Sequence, residues 1–509
     1  MDRSIIDAFA SVLGSRVVTL LVGLITTPIL YRELGPSAFG IYAFVLSVFS
    51  ILMIFVSSGV TEGVRKFLAE ERDRPTWKRS VVGFYLRLAT ALALVGAAIV
   101  ALAASTGLIS RFFGSEFTPY FYVLSVLVIV AQFREVGRRI LMGFGLERYS
   151  EPLHAGNRIL FTVLVLPLVF LGYGVMGVLV GTVAANVVIV VVSLALIHRE
   201  VPLTAVFRSI PDSFPRRSVL SFNTLSVLLI FLMMSLYHVD ILLLQWFRES
   251  TQVGHYKAAL KVAEFAWFVP MAIQTVFVHS MSNLWSNGQS ERVSRIATQV
   301  TRYTLLLAAL MALGMIALAD VAVPVYFGEA ATPAIEPLLI LLPGAVGFAV
   351  ARPILAVSQG KGELGYPIVA TGIAAVANVL LNLVLVPRYG MNGAAAATSV
   401  GYGSMFVLHV WSARNIGFDP LSDVRLTRIV LTIGLAAGPI LLLPGLIGRP
   451  WIALVIVPPL GAAIYGAFAF LTGALDVGEV VDILAQTPLA GYAASLQRHV
   501  ATDGGENRE

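Results

Sequence analysis

Apolar residues fill this chain in long runs separated by short polar stretches. The runs lie near residues 11–31, 40–60, 80–104, 118–141, 156–172, 177–197, 219–246, 256–281, 298–325, 335–358, 365–386, 391–411, 427–447 and 451–472. Each approaches or exceeds the ~20 residues that a helix needs to cross the hydrocarbon of a bilayer. They are continuously apolar and do not alternate with period two, so they predict membrane-spanning helices rather than strands of a barrel. The pattern predicts an all-α polytopic membrane protein of about 14 transmembrane helices.

Composition strengthens that reading. Of 509 residues, 58% are hydrophobic and 13% charged, at a mean hydropathy of +0.86. Soluble domains carry about 25% charged residues, and a single soluble core stops growing at ~250–300 residues. The chain has no cysteine, which excludes disulfides, thiolate chemistry and cysteine-ligated metal. The first apolar run is long enough to span and no short hydrophobic segment with a cleavage site precedes it, so no cleaved signal peptide is expected.

The formal net charge of +6 bears on topology, and no nucleic-acid partner is implied. One set of alternate loops holds 23 Lys and Arg, among them Arg158, Arg302 and Arg352, and the other set holds 6. Cytoplasmic loops carry the excess, so both termini are expected in the cytoplasm, with most of these cations serving as topology signals that touch anionic lipid.

The two halves of the chain look alike. Gly172-Tyr173-Gly174-Val175-Met176-Gly177-Val178 matches Arg388-Tyr389-Gly390-Met391-Asn392-Gly393-Ala394, with the tyrosines 216 positions apart. Phe39-Gly40-Ile41-Tyr42 matches Val253-Gly254-His255-Tyr256, and Ile140-Leu141 matches Ile354-Leu355, both at an offset of 214. Six spans separate the matched segments, so the halves run in the same direction, as parallel repeats about an axis along the membrane normal. The expected division is an N-lobe over 1–210, a C-lobe over 211–415, two added helices over 416–475 and a cytoplasmic tail over 476–509.

The segment Thr27-Pro28-Ile29-Leu30-Tyr31-Arg32-Glu33-Leu34-Gly35-Pro36, followed by Phe39-Gly40-Ile41-Tyr42, resembles the first hairpin of the polysaccharide-transporter (Wzx-type flippase) family. Asp240-Ile241-Leu242-Leu243 with Val253-Gly254-His255-Tyr256 looks like that family's seventh-to-eighth hairpin, and Tyr389-Gly390-Met391-Asn392-Gly393 like the turn before its twelfth span. The wider superfamily includes multidrug exporters and lipid II flippases. The resemblance implies two six-helix lobes working by alternating access. Its implied cargo is an oligosaccharide linked to polyprenyl or dolichyl phosphate or diphosphate, moved across the cytoplasmic membrane for surface-glycan assembly. It also implies glycan polymerases or glycosyltransferases as partners, besides the bilayer and the lipid-linked glycan itself.

An ionisable side chain inside a span is a functional candidate by default. Arg16 and Arg87 sit toward the cytoplasmic side of the first and third spans. His238 and Asp240 lie near the outer end of the seventh. Lys257, Lys261 and Glu264 open the eighth at spacings of four and three, on one helical face. Arg16, Arg87, Lys257 and Lys261 are the expected phosphate-binding cations. Asp240, Glu264 and His238 are the expected ion-pair or proton-coupling groups, with Asp240 in reach of Lys261. No metal site or cofactor is expected. The outer loops carry no paired carboxylates for catalysis, which argues against an enzyme. The alternatives are a cation-coupled multidrug exporter of the same superfamily and a non-transporting partner in a glycan-assembly complex.

Overall fold

A computed structural model describes residues 3–70, 76–208, 210–211, 214, 224–476 and 478–479, with the backbone alone for 3–17, 58, 62, 224, 276 and 279. The described residues form helices and short 3₁₀ turns and no strand. In chain order the helices are α1 (Arg3–Ala69), α2 (Trp77–Ser105), α3 (Leu108–Phe113), α4 (Thr118–Gly143), α5 (Glu147–Phe170), α6 (Gly174–Glu200) and α7 (Thr224–Phe247). They continue as α8 (Ser250–Ala263), α9 (Phe268–Ser286), α10 (Ser290–Phe327), α11 (Ile335–Lys361), α12 (Gly365–Ile416), α13 (Leu426–Ile447) and α14 (Pro450–Leu471).

Among the described residues, 11 helices are long and apolar enough to cross a membrane, or 12 when the bent α8–α9 pair counts as one. The protein is a multi-pass membrane protein. Two of those spans cover 52 residues each, Val18–Ala69 within α1 and Gly365–Ile416, the whole of α12. Unbroken, each would reach ~78 Å, far beyond the ~30 Å of hydrocarbon. Glycine resolves the excess. Gly35 (φ 74°) breaks α1 and Gly390 (φ 56°) breaks α12, in a region of φ that side chains disfavour. Beyond each break the chain doubles back: the rings of Tyr31 and Phe39 are 5.2 Å apart, and Asn378 Nδ2 donates to Thr398 Oγ1 at 3.3 Å. On a straight helix the second pair would be ~30 Å apart.

These breaks, the α5–α6 turn at Gly174 (φ 51°) and the α7–α8 turn mark one end of the bundle, called here the hairpin end. Gly174 and Gly390 are the 216-offset positions of the sequence repeat.

At the hairpin end the matched segments also meet in space. A Cβ on Gly40 would overlap the Ser250 carbonyl oxygen, and a Cβ on Gly254 would overlap the Pro36 carbonyl oxygen. Both contacts map onto each other at the offset of 214, so the seam is reciprocal. Around it the Tyr31 hydroxyl shares a 2.9 Å hydrogen bond with His255 Nδ1, and Arg32 Nη2 donates to the Val325 carbonyl. Helices α2, α4, α5 and α6 pack with α1, while α7, α9, α10, α11 and α12 pack among themselves. The α13–α14 hairpin rests on α10.

A charged cavity at mid-depth

Helix α8 runs inward from the hairpin end, and α5 runs toward that end from the opposite one. Lys261 and Arg158 each stand 11 positions from the start of their helix, ~17 Å in, and so meet near the middle of the bundle. With Glu264 they line a cavity of ≈ 240 Å³. The first arm of α1 lines it through Thr19, Gly23 and Thr27, and Phe265, Trp267 and Phe268 add an aromatic lining.

Local structure exposes these groups. At Glu264 the α-helix tightens into a 3₁₀ turn, Glu264–Trp267, before α9 resumes at Phe268. Such a mid-helix change of pitch often marks a hinge or a site. Lys261 Nζ donates to Glu264 Oε2 at 2.7 Å, and the two side chains keep 38% and 30% exposure. The Arg158 guanidinium lies over the Phe161 ring at 5.0 Å, and its Nε has no partner. A Cβ on Gly23 would come within 3.4 Å of Arg158 Nη2, so glycine leaves the guanidinium its room. Two cations and one carboxylate leave one net positive charge in a largely apolar wall. Chemically this suits a phosphate or a carboxylate beside an aromatic shelf.

The other candidates fall elsewhere. The expected Asp240–Lys261 pair does not form, because Lys261 is taken by Glu264 and Asp240 is fully buried in a network of its own. Tyr256 donates to Asp240 Oδ2, Thr398 Oγ1 donates to the same oxygen at 3.1 Å, and the Ile241 N–H donates to Oδ1 at 2.8 Å. His238 Nδ1 sits 3.2 Å from Ser47 Oγ, joining α7 to the second arm of α1. Arg87 does not line the cavity either: its Nε donates to the Gly83 carbonyl at 3.3 Å and its Nη2 to the Arg208 carbonyl, which ties down the segment after α6. Lys257 stands one turn nearer the hairpin end than Lys261, outside the cavity wall. The side chain of Arg16 and the tail beyond residue 479 lie outside the described residues.

Among the described residues, most of the Lys and Arg counted as loop cations lie within helices, and three of these arginines bear on the interior of the bundle. Arg158 is in α5, Arg302 in α10 and Arg352 in α11, the last two 2% and 6% exposed. The signal was present: Arg158, Arg302 and Arg352 all fall inside the apolar runs 156–172, 298–325 and 335–358.

A bundle of membrane-crossing helices with a charged pocket between two sets of them defines the class as a multi-pass membrane protein. Comparisons with known proteins name the family. The polysaccharide biosynthesis protein profile matches residues 6–276, just over half of the chain, and the chain belongs to that family. A MatE profile matches residues 226–384. An uncharacterised membrane protein of Methanocaldococcus jannaschii is 24% identical over 88% of this chain and 91% of its own. A probable low-salt glycan biosynthesis flippase of Haloferax volcanii, Agl15, is 22% identical over 74% of this chain and 77% of its own. Among solved structures, the lipid II flippase MurJ in an inward closed conformation superposes with a TM-score of 0.71 at 15% identity, covering 92% of this chain and 98% of that one. An inward-facing multidrug resistance transporter of the MATE family superposes at 0.63 and 17% identity, covering 80% and 96%. These structures share the fold.

Proposed function

We propose that the chain is a flippase that carries a lipid-linked oligosaccharide across the cytoplasmic membrane by alternating access, for surface-glycan assembly. Family membership and the flippase relative support this, and the observation that carries it is the net-positive cavity of Arg158, Lys261 and Glu264 at mid-depth. Arg158 and Lys261 take the phosphate that joins glycan to lipid; Glu264 holds Lys261 in place between cargoes and is the group for a coupling proton. Lys257 extends the cationic path toward the hairpin end, and Arg16 is a further candidate for the same phosphate.

Counting each arm of α1 and α12 as a crossing gives fourteen, with both termini cytoplasmic and the hairpin end outside. The lobes divide at about residue 210, and 416–475 form the added pair. In that frame the Gly40–Gly254 seam is the outer closure. A cavity of ≈ 240 Å³ admits a diphosphate or one sugar but not a whole glycan, so passage requires the lobes to part. Neighbouring glycosyltransferases or a polymerase would supply and consume the cargo. The drug-exporter reading is weaker because a cationic drug would meet a cavity of its own sign.

The test is flux of a fluorescent lipid-linked glycan in proteoliposomes holding equal amounts of folded protein. Lys261→Ala and Arg158→Ala should each lower it about tenfold, the worth of one charge-assisted hydrogen bond, with Lys261→Arg retaining most of it. Wild-type flux in both alanine variants would sink the reading.

A further inference from the structure

A second cavity, of ≈ 780 Å³, opens between α7, α9 and α11. Its charged wall is Arg352, 17 positions into α11 and so ~26 Å from that helix's start, toward the end opposite the hairpins. The residue is 6% exposed, yet among the described residues no carboxylate lies within ion-pair range of it. Its Nη2 donates to the Tyr237 hydroxyl, its Nη1 reaches Gln274 Oε1 only at 3.5 Å, and its Nε has no partner. The guanidinium face rests on the Phe348 ring at 4.0 Å.

Arg302 is the internal control. It is the other arginine below a tenth exposed among the described residues, and it is matched by Glu479 and by Asp423 at 3.5 Å. An uncompensated buried cation is destabilising by several kcal/mol, and aromatic contact offsets only part of that. The space beside Arg352 is amphiphilic. Gln274 and Gln359 flank the arginine, whereas Met233, Met234, Leu229 and Leu355 line the remainder. Methionine suits a flexible apolar occupant.

We propose that this cavity is a second anion site, which takes an oxyanion borne on an apolar chain: a lipid phosphate, with Arg352 as its counter-ion and Gln274 and Gln359 as further donors. The proposal rests on the membrane setting but not on the Lys261 cavity or on a glycan cargo. The same chemistry is offered by the carrier lipid of a cargo and by an anionic phospholipid.

Full-length protein in neutral detergent, titrated and followed by thermal unfolding, separates these sources. The probes are farnesyl phosphate, dihexanoyl phosphatidylglycerol, inorganic phosphate and uncharged farnesol. One or both lipid phosphates should raise the melting temperature; farnesyl phosphate alone indicates a carrier lipid, and both equally indicate membrane phospholipid. Arg352→Met should weaken that binding about tenfold or more while leaving the ligand-free protein as stable as wild type or more so. Arg352→Lys should keep part of the binding, and the loss caused by Arg352→Met should be the same with Lys261→Ala as without it. Stabilisation by farnesol or inorganic phosphate as strong as by the lipid phosphates would overturn the site. So would unchanged binding in Arg352→Met, or in Arg352→Lys and Arg352→Gln where the methionine variant does not fold.

Discussion

The two ends of helix α8 set a closely packed region and an open one within four turns of each other. At its start, Gly254 lies backbone to backbone against Pro36, and Tyr256 delivers its hydroxyl to Asp240, which has no exposed surface. Near its last turn, Lys261 and its partner Glu264 stand half-exposed over a cavity with Arg158 opposite. Both ends carry intramembrane charge, yet only the second has room beside it. Asp240 accepts three hydrogen bonds and is satisfied where it is; Arg158 has a donor to spare. An intramembrane charge therefore marks a site when it faces space and is under-bonded, and marks a joint when it does neither.

The harshest way to break the contrast is to deny the packed end its packing. Gly40→Val places a side chain where the Ser250 carbonyl sits, an overpacking of about 3 kcal/mol, or roughly a hundredfold against the closed seam. Flux should be all but lost, while a cysteine at Ser37, beside the seam, should label faster than in the Gly40 parent. The chain has no cysteine of its own, so the label reports one position. Equal labelling in both would show that the seam does not hold that end shut.

At the open end the expected loss is smaller and of another kind. The double variant Arg158→Gln/Lys261→Gln should cut flux by about thirtyfold, with the single effects less than additive because both cations would hold one phosphate. The melting temperature should stay within a few degrees of wild type. A double variant that unfolds, or one whose losses add in full, would make the two cations separate structural elements.

Asp240→Ala inverts that pattern. Removing the carboxylate strands the Tyr256 and Thr398 hydroxyls in a dry interface, a loss of about 2 kcal/mol in stability. Flux per folded molecule should be nearly unchanged. If instead flux collapses in protein of normal stability, Asp240 belongs to the transport chemistry and the contrast between the two ends of α8 fails.

The sequence made the helices legible because hydrocarbon imposes one length and one composition, and it revealed the repeat because turns at fixed offsets need glycine, as at Gly174 and Gly390. It placed Lys261 and Glu264 together because four- and three-residue spacings share a helix face. What it did not show was contact between distant segments. Asp240 and Lys261 look like partners when depth is counted from the hairpin, but Asp240 is engaged by the Tyr256 and Thr398 hydroxyls, and Thr398 comes from α12. Arg158 and Arg352 were misplaced for the opposite reason: both lie inside apolar runs, yet a lone charge there reads as a loop residue until helix ends are known.

The smallest expected effect lies outside the spans, where charge is paired and wet at once. Glu479, just past α14, accepts from Arg302, from the Tyr303 hydroxyl at 2.8 Å and from Arg425 at 3.2 Å. Partial burial pushes its carboxyl up, but the bond from Arg302, then those of Tyr303 and the charges of Arg302 and Arg425, hold it below the usual carboxylate range. A carboxyl depressed in the folded state lends stability that is fully present above its unfolded value, near 4.3, and fades as pH falls through the lower folded value. The joint between the start of the tail and α10 should thus be constant from pH 5 to 8 and loosen below about pH 4, read as faster hydrogen exchange around Arg302. With Glu479 27% exposed, Glu479→Gln should weaken the joint by under ~1 kcal/mol and remove the acid-dependent part. A loosening centred above pH 5, or one that persists unchanged in Glu479→Gln, would place the responsible proton on another group and leave Arg302 no better served than Arg352.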